Sequence, residues 1–336
     1  MKAVLFTAPE TIEIGELPDP TPGPGEVIVA PAAAGICGTD IHILEGDLAR
    51  SWPTVPGHEF AGTVVAVGAG DKDDLFGITV GDRVAVDPSL YCGQCYQCRR
   101  ARGNQCERWG SLGVTAPGGA AELVAAPAAN CVRLPEHVDT RDAPLIEPLA
   151  CAIRGYDVLR MALADHVLIY GAGTMGLMML QLAKKAGAAT VTVLDRNTGR
   201  LAGAADLGCT ATATSADEVA GDHPRGWDVV IDCSGAVPAI EDGLTRVGRG
   251  GTYLQFGVSA TDAVARFNPY TVYHQEITIA GSMAVLHSFE RAADLFATGV
   301  IDPADFITHR IPMADYAAAV DLFRAGTGRK VQVVTG

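Results

Sequence analysis

The sequence has little positive charge. Lysine and arginine total 25 residues against 39 aspartates and glutamates, so the formal net charge is −14 at pH 7. Such an acidic surface repels phosphate backbones and anionic lipid headgroups, which argues against nucleic acid or a membrane as the main partner. Charged residues make up only 19% of the chain, a composition typical of folded rather than disordered proteins.

No long hydrophobic run or secretory signal is evident. The longest mostly apolar stretch without charge, residues 167–183, is interrupted by glycines and only just reaches the roughly 17–25 residues of a membrane span. The apolar segment at residues 3–6 stops at Thr7-Ala8-Pro9, unlike the longer apolar region of a signal peptide. We therefore expect a cytoplasmic protein without a membrane-spanning segment.

Length and apolar content predict two domains. The chain has 336 residues, of which 48% are apolar, enough for two hydrophobic cores without a disulfide framework. Up to about residue 145, short β-like runs are bounded by Gly, Pro and Asp. From residue 146, strand-like and helix-like stretches alternate, which is typical of an α/β fold with a doubly wound parallel sheet. The strands expected there are 167–170, 189–194, 227–233, 252–256 and 277–280, and the helices are 177–186 and 196–207.

A glycine-rich turn follows the first of these strands. Gly171-Ala172-Gly173-Thr174-Met175-Gly176 fits the G-x-G-x-x-G pattern between a predicted strand and a predicted helix. The first glycine permits the tight turn, the second lets a pyrophosphate approach the backbone, and the third lets the helix pack on the strand. We therefore predict a dinucleotide site that includes Gly171, Gly173, Met175 and Gly176.

Asp195, at the end of the next predicted strand, indicates which dinucleotide binds. A carboxylate there accepts hydrogen bonds from the ribose hydroxyls and repels a 2′-phosphate, which favours NAD over NADP. Arg196 and Arg200 lie nearby in sequence, and either could pair with a 2′-phosphate. We assign Asp195 and Arg200 to the cofactor site. The alternative is a glycine-rich turn in an α/β protein that binds no cofactor.

Four of the nine cysteines are clustered. Cys92, Cys95, Cys98 and Cys106 supply four thiols in a short segment. In a chain without secretory features, clustered thiols indicate a metal rather than disulfides. Four soft ligands fill the tetrahedral coordination of zinc and leave no place for a substrate, so the predicted zinc is structural. An iron–sulfur cluster is the alternative, because four thiolates hold those as well.

Six motifs occur in an order that matches a known family. They are Gly35-Ile36-Cys37-Gly38-Thr39-Asp40, Gly57-His58-Glu59, Gly81-Asp82-Arg83-Val84, the four cysteines, Ile146-Glu147-Pro148 and the glycine-rich turn. With these motifs the whole chain resembles the zinc-dependent medium-chain dehydrogenases. Within that family it is most similar to the polyol dehydrogenases (sorbitol, xylitol, arabinitol) and to L-threonine 3-dehydrogenase.

The resemblance implies a catalytic zinc besides the structural one. Cys37, His58 and Glu59 would be its ligands, with Glu147 as a fourth, direct or through water; which glutamate binds directly stays open. Cys151, one helical turn after Glu147, is an alternative ligand. In the family's chemistry the metal stabilises the alkoxide of the substrate, and hydride passes from the carbinol carbon to the nicotinamide.

The resemblance also implies how the proton of the alcohol leaves. Thr39 would hydrogen-bond the reacting oxygen, and His42 would relay the proton to solvent, a role that suits histidine. The alternative for His42 is a surface histidine without a part in the reaction. Asp40 is expected to be structural.

By the same resemblance, residues at the ends of two late strands would lie near the nicotinamide: Phe256, Gly257, Val258, Ser282 and Met283. Residues 1–145 would form a GroES-like catalytic domain with the zinc lobe at about residues 90–107. Residues 146–284 would form the Rossmann domain, and residues 285–336 would return to the catalytic domain. The active site would lie in the cleft between the domains.

These observations lead to one principal hypothesis and two alternatives. We expect an NAD-dependent dehydrogenase with two zinc ions per subunit that oxidises a secondary alcohol or polyol to the ketone. L-threonine 3-dehydrogenase is the alternative activity, and a catalytically silent nucleotide-binding protein is the non-enzyme alternative. Relatives associate through the strand at residues 277–280 and through the cysteine lobe, so a homodimer or homotetramer is expected.

Overall fold

The chain forms two compact units. The computed structural model describes residues 1–47, 51–70 and 75–335, and contacts divide the chain into Met1–Ala150 with Val285–Gly336, and Cys151–Ala284. Each unit has its own sheet and its own hydrophobic core. Within the described ranges, no helix combines the length and the apolar character that crossing a bilayer requires.

The elements are numbered along the chain. The strands are β1 (Lys2–Ala8), β2 (Thr11–Glu16), β3 (Glu26–Gly35), β4 (Glu59–Val67), β5 (Arg83–Val86), β6 (Ser89–Leu90), β7 (Gly110–Ser111), β8 (Val124–Pro127), β9 (Cys131–Arg133), β10 (His166–Tyr170), β11 (Thr190–Leu194), β12 (Ala211–Ala213), β13 (Trp227–Asp232), β14 (Val247–Gln255), β15 (Thr278–Gly281), β16 (Ile307–Pro312) and β17 (Lys330–Val334). The α-helices are α1 (Gly38–Glu45), α2 (Ile146–Val158), α3 (Thr174–Lys185), α4 (Thr198–Asp206), α5 (Val237–Arg246), α6 (Pro269–Gln275), α7 (Phe289–Ala297), α8 (Pro303–Phe306) and α9 (Tyr316–Ala325).

A seven-stranded sheet organises the first unit. Its order is β16-β17-β3-β4-β5-β9, and β8 pairs with β3 beside this path. Val27, Val29 and Phe60 of β3 and β4 are buried in the core of this unit. Pro31 is tolerated inside β3 because the pairing with β4 shifts register between Pro31 and Ala33.

The last strand brings the end of the chain into this sheet. β17 pairs antiparallel with β3, and Gln332 faces Gly35 in that ladder. On the other side of β3, Gly35 faces Glu59 of β4. Directly opposed residues share a face of the sheet, so three segments far apart in sequence meet at this level.

The second unit is built on a six-stranded parallel sheet. Its order is β12-β11-β10-β13-β14-β15, the 3-2-1-4-5-6 order of the doubly wound dinucleotide-binding fold. Strands β10, β11 and β13 are almost continuously buried, as parallel strands covered on both faces should be. The predicted α/β class, a doubly wound parallel sheet with a β-rich domain, is confirmed.

Several elements of this unit differ from the sequence prediction. Strand β14 begins at Val247 rather than at residue 252, because intervening glycines weaken the strand signal although Val247 pairs with Trp227. Helices α5 and α6 and strand β12 were not predicted. Helix α5 carries Pro238 in its first turn and Gly243 in its interior, two residues of low helix propensity, so its sequence gives a weak helix signal.

Candidate active site

Three side chains of metal-binding type meet where β3 ends and β4 begins. Cys37 and His58 lie just outside the facing residues Gly35 and Glu59. Ligand atoms of Cys37, His58 and Glu59 lie within 4.8 Å of one another. A thiol, an imidazole and a carboxylate all bind zinc, and three protein ligands leave a coordination position for a substrate. The donor set therefore fits a catalytic zinc ion.

Asp40 holds the segments that carry Cys37 and His58. Its buried carboxylate accepts hydrogen bonds from the backbone N–H of Cys37 at 2.9 Å and of Gly57 at 3.3 Å. His58 Nδ1 lies 3.6 Å from the same carboxylate, beyond hydrogen-bond distance but within ionic attraction. Burial opposes the charged imidazole, but Asp40 and Cys37 outweigh it and raise the pKa of His58 well above its ordinary value. With Nδ1 toward Asp40, Nε2 of His58 is left for a metal.

Lys330 forms a buried ion pair with Glu59. Its ammonium lies 2.7 Å from each carboxylate oxygen, and the two side chains are 4% and 1% exposed. Burial lowers the pKa of Lys330, but the charges of Glu59 and Cys37 outweigh this effect, so the pKa is raised. The carboxylate of Glu59 thus lies within reach of both an ammonium and the other two ligand residues.

Glu147 lies outside this ligand group. It is buried in the first turn of α2, and its charge contributes to the raised pKa of Lys330. In the part of the chain that the structure describes, the converging ligand atoms belong to Cys37, His58 and Glu59 and include none from Glu147 or Cys151. Of the two glutamates, Glu59 is the one that the geometry places with Cys37 and His58.

Thr39 and His42 lie one turn apart on α1. The Thr39 hydroxyl is 3.9 Å from Cys37 Sγ, whereas the His42 side chain is 38% exposed. His42 Nδ1 lies 3.6 Å from Asp47 and 4.0 Å from Glu45. The helix therefore presents a hydroxyl at the ligand group and an imidazole at the surface.

The four clustered cysteines converge between β6 and β7. Their Sγ atoms lie within 4.8 Å of one another, with separations of 3.6 Å (Cys92–Cys106), 3.9 Å (Cys95–Cys106) and 4.0 Å (Cys92–Cys98). Tetrahedral zinc with Zn–S bonds of about 2.3 Å separates its sulfur ligands by about 3.8 Å. The sulfur positions therefore fit a single tetrahedral metal ion.

The pKa values of these thiols also favour the binding of a cation. Hydrogen bonds, led by one from the backbone of Gln94, lower the pKa of Cys92 to about 5. Loss of solvent and the neighbouring thiols raise the pKa of Cys98 to about 12. Cys98 therefore keeps its proton at neutral pH unless a cation joins the group, and zinc binding releases protons from the thiols.

The glycine-rich turn connects β10 to α3. Gly171 has a φ of 101°, a left-handed conformation that favours glycine, and a Cβ on Gly176 would overlap the Gly171 carbonyl oxygen. A Cβ on Gly173 would instead meet no atom within 4 Å. Gly173 caps α3 without a side-chain hydrogen bond, and Met175 lies in the first turn. The open space at Gly173 and a helix N-terminus that no N-cap side chain occupies fit the pyrophosphate of a dinucleotide.

Asp195 follows β11 and is hydrogen-bonded to this turn. Its Oδ2 accepts from the Ala172 N–H at 2.8 Å, and its Oδ1 accepts from the Asn197 N–H at 2.8 Å. The carboxylate therefore lies beside the turn, where a ribose adjoins the pyrophosphate in this fold. Arg200 lies in α4, whose N-cap is Asn197.

The other predicted cofactor residues follow β14 and β15. They are Phe256, Gly257 and Val258 after the first strand, and Ser282 and Met283 after the second. The carboxyl ends of parallel strands share one edge, so these residues lie at the same edge as the glycine-rich turn. Val258 is 74% exposed and Met283 is 39% exposed, while Ser282 Oγ is buried without a hydrogen-bond partner among the described residues.

Sequence reasoning missed Asp232 and Lys330 and gave Asp40 only a structural role. Asp232 links the loop after β13 to the end of β14, because it accepts hydrogen bonds from Gly235 N–H and Gln255 Nε2, each at 2.9 Å. Asp40 had a local signal, since it lies three residues after the helix N-cap and bonds the N-cap N–H. Lys330 gave only a weak signal, as the charged first residue of the strand-like segment 330–334, whose other residues are Gln332 and three valines.

Two family models match the chain. The model described as Alcohol dehydrogenase GroES-like domain matches residues 23–136, and the model described as Zinc-binding dehydrogenase matches residues 174–298.

Relatives with assigned activities match nearly the full length of the chain. D-arabinitol dehydrogenase 1 of Uromyces fabae is 34% identical over 99% of this chain and 97% of the relative. D-altritol 5-dehydrogenase of Agrobacterium fabrum is 35% identical over 94% of each. An L-threonine 3-dehydrogenase of Rhizobium rhizogenes is 30% identical over 98% of this chain and 97% of the relative.

Solved structures share the whole fold. A zinc-binding dehydrogenase from Sinorhizobium meliloti 1021 bound to NADP has a TM-score of 0.92 and 34% identity over 99% of each chain. A short chain alcohol dehydrogenase from E. coli CFT073 complexed with NADH has a TM-score of 0.93 and 31% identity, covering 100% of this chain and 99% of that one.

Removing one sulfur from the four-cysteine lobe should release its metal. We expect Cys106→Ala to lose one zinc ion per chain and to melt at a lower temperature, because a structural zinc contributes to folding stability. Atomic absorption measures the zinc content, and calorimetry measures the melting temperature. Cys131→Ala is the matched control, since Cys131 is a buried thiol outside both ligand groups. An unchanged zinc content in Cys106→Ala would contradict the site.

Two glycines of the turn should respond differently to an added methyl group. Gly176→Ala should lower the free energy of unfolding by about 1–3 kcal/mol, because its Cβ overlaps the Gly171 carbonyl. Gly173→Ala should leave stability unchanged and weaken NAD binding, because its methyl group enters the open space beside the helix N-terminus. Thermal unfolding and calorimetric titration with NAD separate the two effects. Unchanged NAD affinity in Gly173→Ala would count against the pyrophosphate position.

Proposed function

The chain belongs to the zinc-binding alcohol dehydrogenase family, and from this premise we propose that it oxidises a secondary alcohol or polyol reversibly to the ketone, with NAD as the hydride acceptor. The observation that carries the proposal is the convergence of Cys37, His58 and Glu59 in the β-rich unit of a chain whose other unit has a dinucleotide-binding turn. Zinc binding and a nicotinamide cofactor are the two requirements of this reaction.

We propose a polyol as the substrate class. Two relatives matched over nearly the whole chain are named for D-arabinitol and D-altritol, both sugar alcohols. A net charge of −14 suits a neutral substrate better than an anionic one. L-threonine is the alternative, because a relative at 30% identity is named for it.

Two zinc ions per subunit are part of the proposal. Cys37, His58 and Glu59 would hold the catalytic ion, and the four-cysteine lobe would hold the structural one. When bound, the catalytic zinc acts as a Lewis acid that favours loss of the alcohol proton. Asp40 keeps the Cys37 and His58 segments in place through buried hydrogen bonds to two backbone N–H groups.

Thr39 and His42 would carry the proton away. The Thr39 hydroxyl, 3.9 Å from Cys37 Sγ, would accept a hydrogen bond from the substrate hydroxyl and pass its proton toward the helix surface. His42, one turn later and 38% exposed, would exchange that proton with solvent.

Asp195 supports NAD rather than NADP. Its carboxylate is held beside the glycine-rich turn by two backbone N–H groups, so it would accept hydrogen bonds from the ribose and repel a 2′-phosphate. Gly171, Gly173, Met175 and Gly176 would surround the pyrophosphate. The similar structures carry NADP in one case and NADH in the other, so they do not decide between the cofactors.

We also propose a cytoplasmic homo-oligomer. The reducing cytoplasm keeps thiols available for metal binding. Strand β15 is an edge of the six-stranded sheet, and Ile279 on this strand is 44% exposed. Tyr270 and Tyr273 of the preceding helix α6 are 64% and 80% exposed. An open apolar edge of this kind is suited to pairing with a second copy, which yields a dimer; the cysteine lobe would extend it to a tetramer.

A substrate and cofactor panel tests the proposed function. Sugar alcohols, simple alcohols, 2,3-butanediol and L-threonine are each offered with NAD and NADP, and the reduced nicotinamide is measured. We expect oxidation of a sugar alcohol with NAD that is lost on zinc removal. Cys37→Ser should lower kcat/KM by about 100-fold or more, because a Lewis-acid metal contributes several kcal/mol.

Cys209→Ser, at a half-buried thiol outside the ligand groups, is the control for Cys37→Ser. Full turnover of Cys37→Ser, or activity indifferent to zinc removal, would contradict the mechanism. Oxidation of L-threonine alone would support the alternative substrate, and activity with NADP alone would contradict the role given to Asp195.

A charge placed on the β15 edge should break the oligomer. We expect Ile279→Lys to lower the mass measured by light scattering, because a lysine on an edge strand opposes pairing. Ile14→Lys is the matched control, since Ile14 lies on β2 and is 41% exposed. An unchanged mass in Ile279→Lys would place the interface elsewhere.

A further inference from the structure

The Glu59 carboxylate contacts the Lys330 ammonium and also belongs to the group of ligand atoms at Cys37 and His58. Both of its oxygens lie 2.7 Å from the Lys330 ammonium, which also approaches the Ile36 carbonyl oxygen at 3.4 Å. The same carboxylate lies within 4.8 Å of the ligand atoms of Cys37 and His58. A carboxylate offers about four lone-pair sites, so it can contact an ammonium and a metal, but each reduces the charge available to the other.

The sheet holds the carboxylate in this shared position. Gln332, Gly35 and Glu59 face one another across β17, β3 and β4. A Cβ on Gly35 would overlap the Glu59 carboxylate, so the absence of a side chain at Gly35 makes room for it. Lys330 lies two residues before Gln332 on the same strand, and side chains two residues apart share a face. The last strand of the unit therefore delivers the ammonium to the site.

Burial makes this pairing consequential. Glu59 is 1% exposed and Lys330 is 4% exposed, so water solvates neither charge. Without a metal, Lys330 is the cation that compensates Glu59. With a divalent metal beside Cys37 and His58, the ammonium is a competing positive charge in contact with one of the ligands.

We propose that Lys330 is a positioning residue that acts as an internal counter-cation for Glu59 and weakens this carboxylate as a metal ligand. Lys330 thereby stabilises the metal-free fold, lowers the metal affinity of the Cys37 site and keeps the Glu59 position exchangeable. The inference rests on the proposed function in one respect, namely that a metal binds at Cys37, His58 and Glu59.

Zinc release from the loaded protein tests the proposal. We expect Lys330→Met to bind the zinc of the Cys37 site more tightly by about 10- to 100-fold in competition with a chelator, because the ammonium no longer competes for the carboxylate. Partners that support a metal ligand change the affinity by the same factor in the opposite direction when they are removed. The metal-free form of this variant should melt at a lower temperature, because Glu59 is left buried without a partner. Lys330→Arg, which retains the charge, should restore wild-type behaviour.

Two controls test whether Lys330 changes the zinc affinity through Glu59. Lys184→Met removes a lysine that contacts the Leu207 carbonyl in the other unit, so it should leave the zinc affinity of the Cys37 site unchanged. Lys330→Met in a Glu59→Gln background should have little further effect on zinc affinity, because Lys330 acts through Glu59. This neutral double variant also retains a foldable protein if Lys330→Met alone does not fold.

The outcomes separate this inference from the proposed function. Wild-type protein that binds zinc only at the four-cysteine lobe contradicts the proposed function. Wild-type protein with two zinc ions, and a Lys330→Met variant that binds the Cys37-site zinc equally or more weakly, contradicts the inference alone. A clear change in zinc affinity between Glu59→Gln and the double variant also contradicts it, because Lys330 would then act independently of Glu59.

Discussion

The antiparallel pairing of β3 with β4 is the constraint on which the candidate site depends. It sets Gly35 opposite Glu59, and the chain just beyond these residues supplies Cys37 and His58. A register shift of one residue would turn Glu59 to the other face of the sheet and separate the three ligand atoms. The glycine at position 35 belongs to the same constraint, because the carboxylate needs the space that a side chain would fill.

Two buried carboxylates at this site are compensated in different ways. Asp40 accepts hydrogen bonds from two backbone N–H groups and attracts His58, so its position is tied to the fold itself. Glu59 is compensated by a side-chain ammonium from the last strand. An ionised carboxylate left unpaired in the interior costs several kcal/mol, so both need a partner. A metal cannot replace the backbone amides at Asp40, whereas it competes directly with the ammonium at Glu59.

Features of the site that lie within one short segment could be predicted from local sequence patterns. The four cysteines span residues 92–106, so a metal group could be inferred from spacing, and the glycine turn was recognisable because a strand precedes it and a helix follows. Thr39 and His42 are three residues apart on one helix, so their proximity also follows from local geometry. Strand–helix alternation was sufficient for the fold class.

Contacts that depend on the pairing of strands far apart in sequence could not be predicted. Lys330 is 271 residues from Glu59, and only the β17–β3–β4 ladder brings them together. The order of motifs offered both Glu59 and Glu147 as ligands, whereas the geometry groups Glu59 with Cys37 and His58. The most direct test of the account is anomalous X-ray scattering at the zinc absorption edge from crystals of the protein purified without chelators. We expect two peaks per chain, one among the four cysteines and one in contact with Cys37 and His58. A fully ordered site at Cys37 and His58 without a zinc peak would contradict it.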